Sequence, residues 1–212
     1  MDRNEQAGQV LEVCYGRRLE DVIPLLQRLA APEQVEAVSM DMSTSFAPAV
    51  RTCLPHAQIV VDHFHVIQHV MKAFRKVVSA WAHKKEGQIL LYRKQHLFLS
   101  AQENLSPDQQ KERARIASHL PDLEEAWQLK EALRTWYATA TTETAEKHLD
   151  EWINQVREKG PDALRQALSA FTKWKQEILA FFPFFADTHL ERVCRRQKQP
   201  DQGYYASGIW LP

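Results

Sequence analysis

Apolar residues follow two rhythms along this chain, and the change comes near residue 62. Before it, short apolar runs bounded by turn residues alternate with helical spacing. Gln9–Tyr15 (QVLEVCY) reads as a strand stopped by Gly16. Leu19–Ala30 sets Val22, Ile23, Leu25, Leu26 and Leu29 at helical spacing, with Pro24 awkward in its first turns and Pro32 ending it. Val35–Met42 (VEAVSMDM) predicts a strand. Ser43–Ser45 then offers N-cap chemistry to a helix running to Leu54, with Pro48 early and Pro55 just beyond. His56–Asp62 (HAQIVVD) predicts a second strand. Runs this short, apolar and β-branched suit strands buried on both faces, as in a parallel sheet.

From Phe64 the period becomes helical for good. Phe64, Ile67, Val70, Met71, Phe74, Val77, Val78 and Trp81 recur at i, i+3, i+4, i+7, which predicts one long amphipathic helix. Helical periodicity continues over Gln88–Leu99, Pro107–His119, Leu123–Ala138, Thr142–Lys159 and Asp162–Phe182. Ser106-Pro107 is a helix start and Gly160-Pro161 a break. Residues from about 186 on, including RRQKQPDQGYYASGIWLP, show little periodicity and read as a divergent or disordered tail. The expected architecture is therefore a short α/β segment followed by about 120 residues of helices, with the boundaries 1–63, 64–185 and 186–212.

Composition adds exclusions. With 44% hydrophobic and 25% charged residues over 212 positions, neither wholesale disorder nor a fibrous protein fits. Only six Gly and no long β-branched runs argue against an all-β sandwich or barrel. Cys14, Cys53 and Cys194 are far apart and form no C-x-x-C, so neither a disulfide framework nor a cysteine-rich zinc site is expected, and a reducing cytoplasm is the simplest compartment. No apolar run approaches the ~20 residues of a membrane span, and the start MDRNEQAGQV is not a signal peptide.

The net charge is zero, but its distribution is uneven. Residues 63–99 carry seven cations (Lys72, Arg75, Lys76, Lys84, Lys85, Arg93, Lys94) against Glu86 alone. The segments on either side, 1–62 and 103–160, are each net −4. A basic block between acidic ones is either a phosphate-facing surface or a solvated helix face.

The strand–helix–strand unit is the first candidate for chemistry. Its strands pair in parallel, and Asp41 and Asp62 then both fall at strand carboxyl ends, where open α/β sheets bind their ligands. Neighbouring strands lie ~4.8 Å apart. Two acids facing one crevice repel, and a divalent cation such as Mg²⁺ relieves that, which is the physics of two-metal phosphoryl transfer. The plainer alternative makes each Asp an N-cap for the next helix. A second constellation is Asp62-His63-Phe64-His65 with His69, since His65 and His69 at i, i+4 can share a metal. A His65 hydrogen bond at the strand–helix junction is the competing reading. The six Trp (81, 127, 136, 152, 174 and 210) suit helix-core packing better than base stacking.

The segment VEAVSMDMSTSFAPAVRTCLPHAQIVVDHFHVIQHVMKAFRKV resembles the insertion-sequence DDE transposases of the ISL-three type. In that family a strand reading S-x-D-M precedes a helix, and the next strand runs into D-x-F-H-V. LKEALRTWY and FTKWKQEILAFF resemble downstream helices of the same family, so the likeness covers most of residues 9–185. It implies a ribonuclease-H-like core, partial here with about three strands, interrupted by a large helical insertion domain. It implies three carboxylates holding Mg²⁺ (or Mn²⁺) for DNA strand cleavage and transfer in cut-and-paste transposition. Asp41 would be the second acid and a metal ligand, with Asp62 and His65 a supporting pair and the 63–99 cations facing DNA.

Two departures from the family pattern matter. The family's first acid lies on an upstream strand, for which this chain offers no residue. Its third lies in a T-N-x-x-x-E-G-x-N helix, for which Glu191 in Thr188–Val193 is the nearest match. The resemblance therefore implies a fragment truncated at both ends, with a frameshift after Phe185 and no strand transfer by this chain alone. Its partners would be double-stranded transposon ends and another copy of itself, with no small-molecule cofactor. A noncatalytic helical DNA- or protein-binding protein is the alternative, and a metal-dependent hydrolase built on Asp62, His65 and His69 is a third reading.

Overall fold

The computed structural model describes residues 18–186 and 209–210, and the strand expected at Gln9–Tyr15 lies outside them. The chain divides into two compact units. One comprises Met1–Asp62 with Gln176–Pro212, and the other is the continuous stretch His63–Lys175. The structure is mostly helical, with one small sheet.

In the first unit, α1 (Leu19–Gln27) packs on α2 (Phe46–Cys53) and carries Pro24 inside it. The strands β1 (Ala37–Met40) and β2 (Gln58–Val61) pair in parallel with Ala37 opposite Gln58 and Met40 opposite Val61. All of β1, Ser39 included, and Ile59–Val61 of β2 are buried, as in strands covered on both faces. Both strands are shorter than the apolar runs that announce them. A third strand, β3 (Ile209–Trp210), pairs antiparallel with the other side of β1, so the order is β2-β1-β3. It lies in the tail where the sequence pattern shows no element. Its two residues carry too little periodicity to register, and their partner strand is about 170 positions away. Within this unit the Arg51 guanidinium of α2 also donates to Glu177 at 2.7 Å.

The second unit is helical throughout. Its axis is α3 (His63–Ala82), which packs on α7 (Pro121–Thr139) and α9 (Asp162–Lys173), with α8 (Ala145–Lys159) against α7 and α9. Ser106 and Pro107 start α6 (Pro107–Ala117) with a reciprocal Ser106–Gln109 capping box. Val66, Val70, Phe74, Val77 and Val78 form the buried stripe of α3, as their spacing predicts. Trp127, Trp136, Trp152 and Trp174 are core residues. Two of them satisfy their indole N–H internally, Trp136 to the Ala145 carbonyl (3.0 Å) and Trp152 to the Leu129 carbonyl (2.8 Å).

Two expected helices are broken. The stretch Gln88–Leu99 is not continuous. It forms α4 (Lys85–Leu90), a turn with Arg93 at φ 56°, and α5 (His96–Leu99). Leu91, Leu97 and Phe98 are buried on either side of the break and keep an apolar spacing close to helical, which is why periodicity alone misses it. Likewise Asp162–Phe182 breaks at Trp174 into α9 and α10 (Lys175–Leu179), and a π-helical turn follows at Phe182–Ala186, around Pro183.

Candidate active site and nucleic-acid face

Asp41 and Asp62 each follow the last residue of a strand, and the two strands are neighbours in register. The Asp62 peptide N–H donates to the Met40 carbonyl at 2.9 Å, continuing the ladder by one rung and pinning the two strand ends together. The Ser43 N–H donates to the Asp41 carbonyl at 2.7 Å, so the chain turns sharply as soon as β1 ends. The Asp41 side chain does not cap α2, whose N-cap position is Ser45. Instead its Oδ1 is shut off from solvent and has no hydrogen-bond partner among the described residues. A buried acceptor left unpaired costs about 1–3 kcal/mol.

The other candidates fare differently. His65 sits half-buried in the first turn of α3. His69 hydrogen-bonds the Ala167 carbonyl of α9 through Nε2 at 3.2 Å, which ties α3 to α9. Among the described residues no group of three His, Cys, Asp or Glu side chains is placed to hold a metal, so the hydrolase reading on Asp62, His65 and His69 finds no support. Glu191 lies outside the described residues.

Of the seven cations, Lys72, Arg75 and Lys76 are exposed and lie together on one face of α3, at i, i+3 and i+4. Lys84 is the N-cap residue of α4 and Lys85 its first residue, and both are exposed, as is Arg93 in the turn that follows. None of these six has a carboxylate partner among the described residues. Lys94 does not belong with them. Its ammonium pairs with Glu112 of α6, whose carboxylate also takes two hydrogen bonds from Arg115. That pairing over 18 residues cannot be read from local charge counts.

The model of the transposase family of the ISL-three type matches residues 1–193. The chain belongs to this family. The match takes in both strand-end aspartates, the whole helical unit and Glu191. No curated protein and no solved structure matches the chain. None of the described helices of this transposase-family chain is long and apolar enough to cross a membrane.

Two features escaped the sequence reading of this family member. The first is Lys130, 2% exposed in the middle of α7. Its ammonium donates to the Phe98 and Ser100 carbonyls at 2.9 and 2.8 Å and pairs with Glu131 at 2.6 Å. Those carbonyls end α5, where a cation complements the helix dipole. Burial lowers its pKa below the usual lysine range, and the Glu131 carboxylate opposes that shift. Its position three residues after Trp127 and seven after Leu123, on the apolar stripe of α7, was the available signal. The second is the exposed pair Ile89 and Tyr92. In a helical pattern they pass for core residues.

Proposed function

We propose that the chain serves cut-and-paste DNA transposition as a DDE-type transposase, with residues 1–63 belonging to a ribonuclease-H-like catalytic core and 64–185 to a helical insertion domain. The observation that carries this reading is the pair of aspartates just past the ends of adjacent parallel strands, one with a buried oxygen that has no partner among the described residues. In open α/β sheets that edge is where ligands bind. The donor set fits Mg²⁺ or Mn²⁺. Asp41 Oδ1 is a hard oxygen with no hydrogen-bond partner among the described residues, and Mg²⁺ is held by one or two carboxylates while keeping several waters. When bound, the metal activates the attacking oxygen and neutralises charge building on the phosphate. Asp41 would hold it, and by resemblance alone Asp62 and His65 would be a supporting pair and Glu191 a further acid. Lys72, Arg75, Lys76, Lys84, Lys85 and Arg93 would carry the DNA backbone. Asp41 and Asp62 stand just past the ends of paired strands, Glu191 enters by resemblance alone, and we expect no strand transfer by this chain alone.

Thermal unfolding with and without Mg²⁺ tests the metal. Ligand at ten times its Kd stabilises by about 1.4 kcal/mol, so the wild-type melting temperature should rise with added Mg²⁺ and that of Asp41→Asn should not. Equal rises in both proteins would remove Asp41 from the site and leave the noncatalytic binding reading. Duplex binding against salt tests the cations. Replacing Lys72, Arg75 and Lys76 together by Gln should flatten the log–log salt slope by roughly 2–3, since each phosphate contact contributes ~0.9. An unchanged slope would make this face a solvated one.

A further inference from the structure

The described residues expose three large hydrophobic side chains, and two of them sit three positions apart: Ile89 at 76% and Tyr92 at 65%. A single exposed apolar residue is ordinary, but two on a braced turn are not. The bracing comes from several sides. A Cβ on Gly87 would lie 2.1 Å from the Trp81 carbonyl oxygen, so only glycine lets α4 fold back this closely on the end of α3. Leu91 is fully buried and roots the turn, with its N–H on the Gly87 carbonyl at 2.8 Å. Beyond the tip, Lys94 returns an N–H to the Leu91 carbonyl at 3.0 Å and pairs with Glu112. His96 Nδ1 bonds the Arg93 carbonyl at 3.1 Å. Arg93 is held at φ 56°, a left-handed conformation that costs a non-glycine residue about 1 kcal/mol or more. The fold thus maintains some strain in order to present Tyr92 rather than bury it.

The charge around the tip is as telling as its shape. Lys84, Lys85 and Arg93 have no carboxylate partner among the described residues, and Glu86 is the one acid between Lys84 and Lys94. The cations are laid against aromatic rings. Lys84 Nζ is 3.7 Å from the Trp81 ring centroid, and the Arg93 guanidinium carbon is 5.3 Å from that of Tyr92. A flat exposed ring beside unpaired cations suits a polyanion that also offers π faces. An acidic protein patch would complement the cations but would leave the exposed ring and Ile89 unexplained.

We infer that the turn around Tyr92 is a base-contacting wedge. The Tyr92 ring, with Ile89 beside it, lies on an unpaired base in a DNA duplex, while Lys84, Lys85 and Arg93 take the flanking phosphates. Apolar and aromatic wedges flanked by cations act in this way where a duplex is opened or kinked. The inference rests on DNA being the partner of the cationic face and adds a preference for distorted DNA.

The test uses the full chain and two fluorescently labelled duplexes, one fully paired and one identical except for a single unpaired base. Wild type should prefer the second. Tyr92→Ala should weaken binding to it about tenfold and to the paired duplex by less than about twofold, while Tyr92→Phe keeps both affinities. Equal losses on both duplexes, or none on either, would overturn the wedge while leaving phosphate binding intact. No binding of either duplex by wild type would overturn the wedge and the DNA face together. A wild-type dimer that Tyr92→Ala splits, seen by size-exclusion chromatography, would make the turn a protein contact and overturn the wedge as well.

Discussion

Two buried charged groups, one in each unit, are handled in opposite ways. In the helical unit, Lys130 is sealed within the core with its ammonium matched to two carbonyls and a carboxylate. In the sheet-bearing unit, Asp41 holds one oxygen out of water with no partner among the described residues. Burial of a polar group is tolerable when its hydrogen bonds are replaced and costly when they are not. A matched buried charge therefore reads as architecture. An unmatched one reads as readiness for something that arrives later, because nothing among the described residues compensates for it.

The sharpest way to break that contrast is to remove the matched charge. Lys130→Met keeps the length and apolar stem but leaves the Phe98 and Ser100 carbonyls without this donor and Glu131 with Arg134, at 3.5 Å, in place of its closer cation, and should lower stability by about 3 kcal/mol in chemical denaturation. A loss below about 1 kcal/mol would mean that the lysine is dispensable to the core. The converse substitution has a smaller effect of opposite sign. Asp41→Asn in the absence of divalent cations should leave stability unchanged or raise it by up to about 1 kcal/mol, as expected when a residue kept for function is replaced by one better suited to its surroundings. A clear loss would reveal a structural partner for Asp41.

The smallest effect concerns Glu112 in the helical unit, a charge pair in contact with solvent. Hydrogen bonds from Arg115 and then Lys94 hold its carboxyl at about 2, against an ordinary 4.5. The unfolded chain therefore takes up this proton first as pH falls. The contribution is present above pH 4.5 and fades as pH drops through about 2. The stability gap between wild type and Glu112→Gln should accordingly be present near neutrality and close in acid. A gap that stays constant with pH would assign the effect to packing.

The β-α-β unit was legible because its apolar runs are short and its flanking prolines and serines punctuate them. The strand-end positions of Asp41 and Asp62 followed from that reading. What escaped was long-range. The partner of Lys94 is 18 residues away, those of Lys130 are 30 and 32 away, and β3 meets β1 from the far end of the sequence. Local pattern also counts an apolar residue as buried, so Ile89 and Tyr92 were absorbed into a helix that the left-handed Arg93 interrupts. Trp127, Trp136, Trp152 and Trp174 went the other way. Their helical spacing implied core, and core is where they are.

Lys130 also shapes how the helical unit assembles. Its ammonium cannot leave water until the end of α5 is in place to receive it, and α7 cannot close on Phe74 of α3 while that ammonium is hydrated. Docking of the two segments is thus coupled through a single side chain. Partly formed versions of the bundle are penalised, and melting of this region should be all-or-none rather than helix by helix.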